Sequence, residues 1–168
     1  AIGSGNWVSV VKSSVGATGT MNNLDINLTA KGPNSTPNQD KQLIMVHSHG
    51  GTINFGGDKL NVVATTDFIG GGNNQLAAIY SQADAGNSMG ISAQKVNIDL
   101  ASTASDGKSI YGVSSLGGKV NITSDVLNIK LKTSTERSVT TQYSETAGIS
   151  AGTFGNYKNY EGYVGDIT

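Results

Sequence analysis

The stretch that decides the fold is Leu24-Asp25-Ile26-Asn27-Leu28, which returns three more times along the chain. The later copies are Leu60-Asn61-Val62-Val63-Ala64, Val96-Asn97-Ile98-Asp99-Leu100 and Leu127-Asn128-Ile129-Lys130-Leu131. They follow one another at offsets of 36, 36 and 31 residues. Each copy alternates apolar residues with mostly polar ones, and this period of two predicts a β-strand with one buried face.

Two further strands are predicted inside each repeat. The second strand ends in a serine that keeps its place in every copy: Ser48, Ser81, Ser115 and Ser144. The third strand is predicted at Thr52-Ile53-Asn54-Phe55, Gly90-Ile91-Ser92-Ala93, Lys119-Val120-Asn121-Ile122 and Gly148-Ile149-Ser150-Ala151. After the third strand the next copy of the first strand begins within a few residues, so one repeat contains three short strands.

Three short strands in each repeat predict an all-β fold, a right-handed parallel β-helix (β-solenoid) of about four to five rungs. One rung, called a coil below, cannot bury its own apolar side chains, whereas stacked coils share a continuous core. The right hand is the expectation for parallel crossover connections. Equivalent positions of stacked coils lie about 4.8 Å apart, so side chains align in ladders. The predicted inner ladder is Leu24/Leu60/Val96/Leu127, and the outer one is Asp25/Asn61/Asn97/Asn128.

The composition excludes several classes of protein. The chain has no Cys, so it is not a disulfide-stapled mini-protein. Its 11 Lys and Arg residues against 12 Asp and Glu residues give no basic excess, which argues against a nucleic-acid partner. Gly, Ser, Thr and Asn fill 74 of 168 positions, so disorder is the main alternative. Because these residues recur at fixed places in the repeat, a folded solenoid is favoured.

The whole chain, residues 1–168, is predicted to be a single solenoid domain. Residues 1–18 are expected to form an N-terminal strand or cap, residues 19–155 the coils, and residues 156–168 the Tyr- and Gly-rich start of a further coil or a tail. Because an open solenoid edge invites pairing with another strand, we expect the chain to be a piece of a longer solenoid. Self-association through the edges or faces of the solenoid is a further expected interaction.

The loops between the first and second strands carry most of the variation between repeats. They span Lys31–Lys41, Thr65–Asn74, Ala101–Lys108 and Lys132–Arg137, and are predicted to leave the same corner of every coil. Loops on a rigid scaffold are the usual place for recognition, so this ridge is the predicted binding site. The alternative is that solvent-facing corners simply tolerate insertions. The predicted binding residues are Asn34, Ser35, Phe68, Ile69, Asp106 and Arg137.

Catalytic and metal chemistry are not predicted. His47 and His49 lie two apart on a strand end and so share one face, which is compatible with a metal ion. No third ligand lies nearby in sequence, so we expect two loosely placed surface histidines, with no metal or cofactor.

The acidic residues form no matched pair across neighbouring coils, as glycoside hydrolysis would require. Ice binding would need threonines that repeat at one coil position, and the threonines of this chain do not repeat in that way.

Because no catalytic pair of acidic residues is found, we expect a protein that is not an enzyme.

The cysteine-free coils, such as Val96–Leu100 and Leu127–Leu131, resemble the passenger region of bacterial autotransporters (type V secretion) over residues 19 to about 155. The resemblance implies a secreted, cell-surface β-helix anchored by a C-terminal outer-membrane barrel outside this chain. It also implies an adhesin, associated with virulence, or a structural stalk. Its loops would bind a glycan or protein of a host or neighbouring cell. The alternative is a carbohydrate-active β-helix enzyme, a lyase or glycosidase, with unrecognised catalytic residues.

Overall fold

In a computed structural model of the chain, the described residues are 7–30, 42–67, 75–82, 88–103, 109–116, 118–132, 146–151 and 165–167. Their strands are β1 Trp7–Ser14, β2 Thr18–Ala30, β3 Gln42–His49, β4 Thr52–Thr66, β5 Gln75–Gln82, β6 Ser88–Ser92, β7 Lys95–Ser102, β8 Ser109–Leu116, β9 Gly118–Thr123, β10 Val126–Lys132, β11 Thr146–Ala151 and β12 Gly165–Ile167. These ranges contain no helix, and so none that could cross a membrane.

The strands stack into two parallel sheets. Sheet 1 has the order β1-β3-β5-β8-β11, and sheet 2 has the order β10-β7-β4-β6-β9-β12 with β2 paired to β4. Every pairing between these strands is parallel. The described chain is therefore a β-solenoid of about 3 turns, which confirms the predicted all-β parallel fold. Part of the predicted four to five rungs lies outside the described residues.

In β4, the predicted third strand Thr52–Phe55 and the following first strand Leu60–Ala64 join into one continuous strand, and β2 is continuous in the same way. β2 has 13 residues and β4 has 15, and their pairing shifts register between Asn22 and Leu24. At the corner, Asn23 has a φ of 53°, and its Oδ1 accepts the backbone N–H groups of Asp58 and Lys59 at 2.7 and 3.1 Å. Gly57, at the matching corner of β4, has a φ of 105°. In later coils the same two segments are separate strands, β6 and β7, then β9 and β10.

Both predicted ladders of sheet 2 are in register. Leu24 pairs with Leu60, Leu60 with Val96, and Val96 with Leu127. Leu60 and Val96 are 1% and 0% exposed, whereas Leu127 is 39% exposed. Strand β10, which carries Leu127, lies at the end of the described order of sheet 2 and has a described neighbour on one side only. Burial along a ladder therefore depends on the neighbouring coils.

The serine ladder is confirmed in its first three predicted members. The in-register serines of sheet 1 are Ser13, Ser48, Ser81 and Ser115, so β1 adds one that the sequence did not suggest. The hydroxyls of Ser48 and Ser115 donate to the carbonyl oxygens of Gly51 and Gly118 at 2.6 and 3.0 Å. Each bond closes the turn into the following strand. The ladder is thus buried and satisfies the backbone of the turns.

The fourth copy of the repeat was assigned wrongly. Residues Gly148–Ala151 were predicted as a third strand, but β11 lies in sheet 1 beside β8, with Ile149 opposite Val113. Ala151 lies opposite Ser115, the place predicted for Ser144, which is outside the described residues. Four residues of alternating pattern fit either sheet, so they do not fix which one the strand joins.

A glycine contact shows why β11 fits in sheet 1. A methyl group at Gly112 of β8 would lie 2.5 Å from the carbonyl oxygen of Gly148 in β11. The two strands therefore approach closely at a point where only glycine avoids a clash.

Candidate functional site

The six predicted binding residues lie outside the described residues. They are Asn34, Ser35, Phe68, Ile69, Asp106 and Arg137. The structure does describe the strand ends that lead into their loops. Ala30, Thr66 and Ser102 are in register at the ends of β2, β4 and β7, and Lys132 at the end of β10 pairs with Ala101. The loops therefore leave one edge of sheet 2, as the sequence predicts, from points about 4.8 Å apart.

The outward face of sheet 1 brings together side chains that sequence reasoning left unconnected. An apolar cluster on this face, separate from the main core, consists of Ile44, Ala77, Tyr80, Tyr111 and Leu116, each at most 4% exposed. Strands β3, β5 and β8 of sheet 1 are thus buried on both faces, unlike the alternating strands of sheet 2. The signal was present in the uninterrupted apolar run Leu43-Ile44-Met45-Val46, because such runs are typical of strands buried on both sides.

His47 lies at the polar end of this face and is only 1% exposed. Its Nδ1 is 3.0 Å from the hydroxyl of Ser9 in β1, and its Nε2 is 3.3 Å from Oε1 of Gln82 in β5. The rings of Tyr80 and His49 each have their centroid 5.6 Å from that of His47. The expectation of a surface residue is therefore wrong for His47, whose imidazole joins three neighbouring strands.

The hydrogen bonds define the charge state of His47. Because a glutamine Oε1 only accepts, Nε2 of His47 carries the proton and Nδ1 accepts from the Ser9 hydroxyl. Burial, then the positive charge of Lys12 and the influence of His49, lowers the pKa of His47 from 6.5 to about 4, against a small opposing effect of Gln82. The imidazole is therefore neutral near pH 7.

This arrangement does not activate Ser9 as a nucleophile. A histidine with so low a pKa is a weak base, and general-base catalysis is most effective when the pKa lies near the working pH. The group that orients His47 is the Gln82 amide, which cannot stabilise an imidazolium as a carboxylate does. Both ring nitrogens already have partners, so neither is free for a metal. Across the described ranges, no three His, Cys, Asp or Glu side chains are grouped for a metal ion.

The outward face of sheet 2 carries a polar ladder. Asn61 donates from Nδ2 to Asp25 Oδ1, and Asn97 donates from Nδ2 to Asn61 Oδ1, both at 2.8 Å. Lys59 also binds Asp25, at 2.6 Å, and the hydrogen bonds from Lys59 and then Asn61 lower the pKa of Asp25 below 3.8. The ladder is exposed at Asp25 and only partly buried further along, so it supports the stacking of coils without forming a pocket.

A second ion pair on the same face joins neighbouring coils. Lys130 lies 3.1 Å from Asp99, its register partner in β7. Exposed pairs of this kind contribute about 0 to 1 kcal/mol each. The Lys130 and Asp99 side chains are 74% and 35% exposed, so both are surface charges.

The fold and these contacts define a parallel β-solenoid whose described side chains hold coils together. Comparison with family models, with curated proteins and with solved structures finds no match to this chain.

Proposed function

We propose that this chain is a non-enzymatic module of a bacterial cell-surface protein, an adhesin or a structural stalk, built in the manner of an autotransporter passenger. In this proposal the solenoid is secreted and held at the cell by a C-terminal outer-membrane barrel outside this chain. The single observation that carries the proposal is the in-register stacking of coils, which brings the strand ends of the variable loops into one row.

The ladders support a role as a stiff spacer. Each coil is joined to the next by parallel backbone pairing in both sheets. Side chains add to this pairing inside, through ladders such as Leu60/Val96, and outside, through the Asn61–Asn97 amide bond. Solenoids of this kind extend by adding coils without a change of fold, which suits a module that holds a binding surface away from a cell.

The row of loops supports a role in binding. Strand ends about 4.8 Å apart bring successive loops into contact range of one extended partner, such as a glycan chain or a protein surface. Phe68 and Ile69 belong to the second of these loops and are the apolar pair that a partner would cover.

The test measures binding of the purified chain to a glycan array and to cultured host cells. The variant is Phe68→Ser with Ile69→Ser, and the matched control is Val15→Ser, since Val15 is a 72% exposed apolar residue at the turn between β1 and β2. We expect the double variant to lose binding and the control to keep it. Binding that survives the double variant contradicts the proposal, and so does release of reducing sugar from a bound glycan.

A further inference from the structure

We propose that His47 makes the attachment of strand β1 to the solenoid dependent on pH, so that β1 separates from β3 in mildly acidic solution. The proposal rests first on position. β1 is the terminal strand of sheet 1 and pairs, among the described strands, only with β3. His47 lies near the C-terminal end of that junction, opposite Lys12, and is hydrogen-bonded to Ser9 of β1.

The groups around His47 oppose a positive charge on its ring. Those that face it are Lys12 from β1, Tyr80 from β5 and His49 from β3 itself. None of them is a carboxylate. A proton on His47 would therefore be buried beside the Lys12 ammonium without a negative partner among the described residues.

Strand β4, which follows β3 after one turn, does not change this balance. Its charged residues Asp58 and Lys59 are exposed and lie at the corner where their backbone N–H groups bind Asn23. The contacts of Gln82 and Ser9 with His47 are made by an amide and a hydroxyl, which accept or donate but carry no charge.

Separation of β1 removes the charge of Lys12 and opens the edge of β3 to water, so the pKa of His47 rises toward the 6.5 of a histidine in water, although Tyr80 and Gln82 of β5 stay beside it. With a pKa of about 4 in the attached state and at most 6.5 in the separated state, the equilibrium for separation rises by up to about 30-fold between about pH 7.5 and about pH 5. The rise levels off at no more than about 300-fold in more acidic solution. The other contacts of β1 are its backbone pairing with β3 and the packing of Val8 and Val11 against the main core, and these do not titrate.

Hydrogen exchange of the backbone amides of β1 tests this directly. Protection factors, corrected for the intrinsic pH dependence of exchange, are measured for β1 and for the central strand β7 at about pH 5 and about pH 7.5. We expect β1 to lose protection by up to about 30-fold and β7 to lose much less. Equal losses in the two strands would overturn the proposal, because they would report global unfolding.

Two variants assign the effect to one imidazole. His47→Gln removes the titrating group, and His49→Gln, on the same strand face, is the matched control. We expect His47→Gln to abolish most of the pH dependence of β1 and His49→Gln to retain it. A full pH dependence in His47→Gln overturns the proposal. If His47→Gln does not fold, the NMR titration of the wild-type imidazoles decides: a His47 pKa of 6 or above contradicts the proposal, and one below 6 supports it.

Discussion

The substitution of leucine by alanine at two places of one ladder isolates what a neighbouring coil contributes to stability. Leu60 and Leu127 occupy equivalent positions, separated only by Val96 in the register of sheet 2. Leu60 is 1% exposed and has described coils on both sides, whereas Leu127 is 39% exposed at the end of the described order. The chemical change is identical, so any difference in the free energy of unfolding reports the surroundings.

The expected magnitudes follow from burial. Leu60→Ala leaves a closed cavity and is expected to cost about 3 kcal/mol, within the range for fully buried leucines. Leu127→Ala removes a side chain that already has solvent on one side, so little cavity remains, and the cost is expected to be about 1 kcal/mol.

Urea unfolding followed by far-UV circular dichroism measures both variants against the wild type at one pH. The dependence of the unfolding free energy on urea concentration, the slope of each transition, is compared as well. A solenoid can lose a terminal coil before the rest unfolds, and this would lower that slope. If Leu127→Ala costs as much as Leu60→Ala with an unchanged slope, stacking by neighbouring coils is not what buries this ladder.

Three further outcomes are expected. The contribution of His47 lowers the unfolding free energy of the wild type by about 2.6 kcal/mol as the pH drops from 6.5 to 4, because the unfolded chain binds a proton that the buried imidazole does not, and in His47→Gln the urea midpoint falls less over that pH range. Gly57→Ala, at a φ of 105°, costs about 1 to 3 kcal/mol in urea unfolding, whereas Gly19→Ala, with open space around it, costs far less. Asn97→Ala breaks the 2.8 Å bond to Asn61 and lowers the unfolding free energy by about 1 kcal/mol.

The sequence was sufficient to predict the stacking because it repeats. Asn61 and Asn97 are 36 residues apart in sequence, and they are neighbours in space because the same spacing recurs for the apolar positions around them. A repeat also fixes which side faces inward, since a shift of one residue would expose every apolar side chain. The strands, the serine ladder and the common exit of the loops follow from this.

The sequence was insufficient to place a strand where the alternating pattern is short or where the strand is buried on both faces. Gly148–Ala151 alternates like a third strand, and only the pairing of β11 with β8, which includes a close approach at Gly112, places it in sheet 1. His47 looked like a surface residue because a polar side chain at a strand end normally is one. Its burial depends on the packing of the outward face of sheet 1, which the period of two does not encode.

Disulfide trapping tests the parallel, in-register stacking most directly, since the chain contains no cysteine of its own. Asn61→Cys with Asn97→Cys places two thiols on adjacent coils at a Cα separation of about 4.8 Å, inside the range that a disulfide spans. Asp25→Cys with Asn97→Cys places them two coils apart, at about 9.6 Å, outside that range. In-register stacking predicts that the first pair oxidises to an intramolecular disulfide and the second stays reduced. Failure of the first pair, or equal bridging by both, would contradict it.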